Sequence, residues 1–143
     1  MGDLERLVHE QFARLDDGDL EAFAAHLDEG CEFVAPGFGG QGREPAIAWM
    51  RPFLDAFPDI HHRVVATVEA QDSVALELVI TGTHTEPLAG PGGEISPTGR
   101  EIRLRVANVW RVRDGRIASY HVYFDQATFM AQLGLIPGAA GAR

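Results

Sequence analysis

Residues Thr98 to Asp125, TGREIRLRVANVWRVRDGRIASYHVYFD, decide how this chain folds. Two strand-like runs flank Asp114-Gly115, a dipeptide that supplies the positive φ angles of a two-residue hairpin turn. In the first run Arg103, Arg105, Arg111 and Arg113 alternate with Leu104, Val106, Trp110 and Val112, and Asn108 falls on the apolar side. Along the second run, alternation puts Ile117, Ser119, His121, Tyr123 and Asp125 on one side, with Arg116, Ala118, Tyr120, Val122 and Phe124 on the other. The row His121, Tyr123, Asp125 ends where the chain enters its last helix, Gln126 to Leu133, and is the first place to look for chemistry.

Towards the N-terminus, Leu4, Leu7, Val8, Phe12 and Leu15 recur at helical spacing, and Asp16-Asp17-Gly18-Asp19 breaks that helix. Asp19 is suited to cap a second helix through Leu27. Cys31 to Ala35 reads as a short strand and Phe38 to Gly42 as a flexible turn. Pro45 opens a third helix through Trp49, Phe53 and Phe57, which Pro52 should bend or split. His61 to Ala70 and Val74 to His84 read as strands. Thr85 to Gly99, a loop of about fifteen residues, has the length of a functional lid. Helices at the front and antiparallel strands behind predict an α+β domain over residues 1–137, helices on one face of a curved sheet with a pocket between the layers. Residues 138–143 read as a disordered tail.

The formal charge of −9 excludes a nucleic-acid platform, which needs a basic surface. One cysteine, Cys31, cannot form an internal disulfide and reads as core. With no signal segment and no apolar run of spanning length, no membrane association and a cytoplasmic residence are expected. His61 and His62 point to opposite faces of a strand and cannot chelate one ion, so no metal is expected.

Several short motifs carry a resemblance. They are Phe57-Pro58-Asp59, Thr81-Gly82-Thr83-His84, Pro97-Thr98-Gly99-Arg100, Arg113-Asp114-Gly115-Arg116-Ile117, Tyr123-Phe124-Asp125 and Gln132-Leu133-Gly134. In this order the chain resembles the SnoaL-like polyketide (ester) cyclases of the nuclear transport factor 2-like, ketosteroid isomerase-like superfamily. The resemblance implies a cone-shaped α+β barrel, no cofactor, and an intramolecular aldol closure through an enolate. It implies that Asp125 is the general base, with His84 a polar pocket residue. The related steroid isomerases place an acid where this chain has Ala35, which argues against their chemistry.

A methylene between carbonyls is acidic enough for a carboxylate base whose pKa is modestly raised by burial. His84, His121, Tyr123 and Asn108 are the available donors to an enolate oxygen. Trp110, Trp49, Phe53 and Phe57 are expected to line the substrate site. The blander readings are that Asp125 caps the last helix, that His84 and His121 are ordinary strand residues, and that Tyr123 is packing. The competing functions are a non-catalytic binder of a small apolar ligand, an isomerase, and an epoxide hydrolase, for which Arg51, Arg103 and Arg105 are the available arginines. The alternating arginines Arg103, Arg105, Arg111 and Arg113 point to a homodimer through the open sheet face.

Overall fold

The structure is a computed structural model and describes residues 2–137. The expected tail at 138–143 lies outside the described residues. Twelve elements follow in chain order: α1 (Asp3–Asp16), α2 (Leu20–Ala24), β1 (Leu27–Ala35), β2 (Phe38–Gln41), α3 (Arg43–Ala56), β3 (His61–Glu69), β4 (Ser73–Thr83), β5 (Leu88–Gly90), β6 (Gly93–Ile95), β7 (Glu101–Arg113), β8 (Arg116–Tyr123) and α4 (Gln126–Gln132). Six strands form one sheet in the order β2-β1-β8-β7-β4-β3, and β5-β6 make a separate two-stranded ribbon. Every pairing in the main sheet is antiparallel except β1 with β8. The fold is α+β, as the pattern of elements predicts.

The β7–β8 hairpin forms as expected. Asp114 and Gly115 take φ values of 53° and 75°, both in the left-handed region. On β7 the inward set Ile102, Leu104, Val106, Asn108 and Trp110 is buried, and the arginines between them are exposed. Helix α2 begins as foreseen, with the Asp19 carboxylate accepting the Ala22 N–H at 3.0 Å.

Three local expectations are corrected. Residues Phe38 to Gln41 are not a loose turn but an edge strand paired with β1. Pro52 neither splits nor ends α3, which runs from Arg43 to Ala56; burial of Ala46, Met50 and Ala56 outweighs one missing backbone hydrogen bond. The long loop contains the β5–β6 ribbon, tied down by buried Leu88.

The fourth correction decides the site. Arg111 pairs with Ser119 but Val112 pairs with Ile117, so Ala118 is an extra residue, a bulge in β8. A bulge reverses the parity of everything beyond it. Ile117 therefore points inward together with Tyr120 and Val122, all buried, while His121 and Tyr123 turn outward.

The helices cover the inner face, with α1 against β3 and α3 against β1 and the β5 strand. Two of the quoted motifs form one packing unit. The Asp59 carboxylate accepts the Thr83 N–H at 2.7 Å and the Thr83 hydroxyl at 2.8 Å. Gly82 admits the Phe57 side chain, which a Cβ there would meet at 3.3 Å. No helix among the described residues is long and apolar enough to cross a membrane.

Candidate active site

Between helices and sheet lies an apolar hollow of about 80 Å³. The phenylalanines Phe12, Phe53, Phe57 and Phe129 and the aliphatic side chains of β4 and β7 make up much of its wall. Trp49, Phe53 and Phe57 line it, as expected from their helical spacing. Three polar side chains also reach it: His62, Asn108 and Tyr120.

His62 is an inward residue of β3, and its side chain is 7% exposed. Its Nδ1 donates to Asp16 Oδ1 at 2.6 Å, and its backbone N–H donates to the same carboxylate at 3.0 Å. The ring stacks on Phe12 with centroids 5.0 Å apart and planes 10° apart. With Nδ1 committed to a carboxylate, Nε2 is the nitrogen left for a proton transfer. This is an acid–base pair delivered by the end of α1 and the start of β3.

Asn108 is the one amide on the inner face of β7. Trp110 Nε1 donates to its Oδ1 at 3.1 Å, which fixes the amide orientation and leaves Nδ2 without a hydrogen-bond partner among the described residues. Trp110 itself is fully buried beneath the hollow and does not line it, contrary to expectation. It stacks on Tyr120 with centroids 4.7 Å apart. The Tyr120 hydroxyl takes part in no hydrogen bond among the described residues. Burial pushes its pKa up, so it stays a neutral phenol and a donor.

The other expected site residues lie elsewhere. Asp125 is exposed and caps α4, accepting the Ala127 N–H at 2.9 Å and the Thr128 hydroxyl at 2.9 Å. These bonds, the Thr128 hydroxyl first, hold its pKa below the ordinary carboxylate value, the opposite of what a general base requires. His121 stands on the outer face and its Nε2 meets Glu32 Oε1 at 2.8 Å. Tyr123 is half exposed beside it, its hydroxyl 3.4 Å from His121 Nδ1.

His84 is buried, but away from the hollow. Its Nδ1 accepts the Thr98 N–H at 3.1 Å, and the ring stacks on Phe57 at 5.3 Å. Nε2 then carries the proton and has no partner among the described residues. Burial pushes its pKa down, against a smaller upward pull from the Glu86 carbonyl. His84 pins the start of the long loop to its end at Thr98. Cys31 is buried, and burial with nearby Asp28 and Glu32 raises its thiol to about 11, so it is no nucleophile. No group of three His, Cys, Asp or Glu side chains is arranged for a metal ion among the described residues.

Pattern reading missed Asp16, His62 and Tyr120. Asp16 read as a helix breaker, and Tyr120 was on the correct strand with the wrong neighbours because the bulge is invisible to strict alternation. The usable signal for His62 was its parity with Val64 on β3.

A family model described as SnoaL-like polyketide cyclase matches residues 6–133. The chain belongs to that family. Solved structures agree on the fold. AclR from Streptomyces galilaeus, described as a proposed hydroxylase, superposes with a TM-score of 0.81 at 22% identity, covering 93% of this chain and 96% of that one. IdmH from Streptomyces antibioticus, described as a proposed polyketide cyclase, gives 0.77 at 27% identity over 93% and 99%. A protein from Catenulispora acidiphila with a ketosteroid isomerase-like fold, in complex with trimethylamine, gives 0.72 at 21% identity over 90% and 92%. No curated protein matches the sequence.

Proposed function

We propose that this family member is a cofactor-independent enzyme that forms an enolate from an uncharged carbonyl compound and closes a ring by intramolecular aldol attack. One observation supports this above the others: an imidazole backed by a carboxylate, Asp16–His62, and two donors unpaired among the described residues, Asn108 Nδ2 and the Tyr120 hydroxyl, share one apolar hollow. The base is His62, in place of the Asp125 that the resemblance implied.

His62 Nε2 takes the proton from a carbon beside a carbonyl, and Asp16 stabilises the imidazolium that results. Base catalysis of this kind contributes roughly 10²–10⁴-fold. Asn108 and Tyr120 donate to the enolate oxygen, each such donor being worth on the order of 3 kcal/mol when pre-positioned. The enolate carbon forms the new carbon–carbon bond to a second carbonyl of the same molecule. The alkoxide so formed takes the proton back from His62, and the balance closes without an oxidant or metal.

Sites for drug-sized ligands enclose roughly 300–1,000 Å³. A hollow of about 80 Å³ accommodates the reacting end of a substrate, with the remainder lying against the half-buried rim rings of Trp49, Phe53 and Phe124. The size equally favours a second reading, a non-catalytic holder of a small apolar ligand. We infer also that two copies pair through the outer sheet face, where Val65, Val109 and Tyr123 are exposed among the arginines.

The test is ring closure of an open-chain aryl poly-β-keto ester, followed by chromatography. Wild type is expected to accelerate cyclisation over buffer, and His62→Gln to lose that acceleration while keeping its circular dichroism. Wild type that binds the ester but leaves the rate at the buffer value would establish the holder instead.

A further inference from the structure

Adjacent residues on a strand face opposite ways, so His61 and His62 have no reason to share a partner. They share one nonetheless. β3 is the edge strand of the sheet, and Asp16, the last residue of α1, reaches around that edge. Asp16 Oδ1 holds His62 Nδ1 at 2.6 Å on the inside, and Asp16 Oδ2 lies 2.8 Å from His61 Nδ1 on the outside. The side chain of His62 is 7% exposed, that of Asp16 19% and that of His61 62%. One carboxylate therefore divides its two oxygens between a ring in the hollow and a ring in solvent.

We propose that His61 is a positioning residue that couples the charge of the external solution to the cavity base through Asp16. The inference rests on the assignment of His62 as that base. When His61 is neutral, the full charge of Asp16 supports a proton on His62. When His61 takes a proton, its cation neutralises Asp16 from the outside, and a second imidazolium at the same carboxylate becomes less favourable. The base in the hollow is then weakened by an event in the solvent, without any movement of the chain.

The surroundings leave Asp16 as the dominant link. The charged groups nearest to Asp16 and His61 in sequence or register are Arg14 on α1, Asp17 just after it, Asp59 before β3, Arg63 two residues along β3, and Arg103 on β7 opposite Thr81, the β4 partner of His61. Asp59 is occupied by Thr83 and Arg14 by Gln11. Asp16 is the only carboxylate paired with either imidazole among the described residues.

The direct test is an NMR titration of the imidazole nitrogens in the free protein over about pH 5 to 8, where unperturbed rings change charge. In wild type, His62 is expected to show two inflections, one coinciding with that of His61. In His61→Gln, an exposed substitution, the second inflection is expected to vanish. His62 curves that superimpose in the two proteins would overturn the coupling. A kinetic arm complements it: in His61→Gln the acid limb of kcat should simplify with KM unchanged, whereas a raised KM with an unaltered pH profile would contradict the coupling. The titration needs no substrate, so coupled rings in a protein without turnover would refute only the enolate reading. Uncoupled rings in an active protein would refute only the role of His61.

Discussion

At His62 the imidazole is held by two different forces, a charge-assisted hydrogen bond to Asp16 at its Nδ1 and the face of Phe12 beneath the ring. Asp16→Asn keeps the shape and removes the charge, so kcat should fall by roughly 10²-fold or more while the affinity for an apolar product barely changes. Asn108→Ala should cost about 10²–10³-fold in kcat by removing one oxyanion donor; an unchanged kcat would remove Asn108 from the site. At His84 the prediction concerns stability. Its folded pKa is below the ordinary 6.5, so above that pH both states are neutral and no dependence arises. As pH falls below 6.5 the unfolded chain takes up the proton first, and stability drops until the folded ring is protonated too. Urea midpoints of wild type should therefore decrease on acidification more than those of His84→Gln. Equal slopes would show that the ring is not sheltered. Asn108 was legible from sequence because an amide on an apolar strand face needs a partner. Asp16 was not, because a carboxylate that ends a helix carries no mark of the strand it will meet.

Among the elements, the hairpin β7–β8 was readable from Asp114-Gly115 and the alternation of β7, and α1, α3, α4, β3 and β4 were found close to their actual ends. Helix α2 instead stops at Ala24, short of the expected Leu27, and β1 already begins at Leu27 rather than at Cys31. The bulge at Ala118 was not readable, since nothing in Arg-Ile-Ala-Ser-Tyr distinguishes an extra residue from a regular strand. Its consequence was large: His121, Tyr123 and Asp125 were assigned to the interior and lie outside. The β5–β6 ribbon gives an element-scale prediction. Leu88 is 5% exposed and anchors the ribbon under α3, so Leu88→Ala should destabilise the fold by about 2–5 kcal/mol, read from denaturant unfolding. A smaller loss, below about 1 kcal/mol, would mean the ribbon is not part of the cooperative core.

For the molecule as a whole, the sheet has one face under helices and one face in solvent, and the outer face carries Val65 at 54%, Val109 at 39% and Tyr123 at 50% exposure. Sedimentation should find a dimer at micromolar concentration, and Val109→Glu should dissociate it; a wild-type monomer would remove the pairing. On the inner face, proton transfer belongs to the hollow and not to the cap of α4. The most direct measurement is solvent deuterium exchange at the α-carbon of a small uncharged β-keto ester, compared for wild type, His62→Gln and Asp125→Asn. Asn caps a helix as well as Asp does, so the third protein keeps its fold. Exchange in Asp125→Asn is expected to stay within about twofold of wild type, and in His62→Gln to fall by roughly 10²-fold or more. Exchange that survives in His62→Gln and disappears in Asp125→Asn would contradict it.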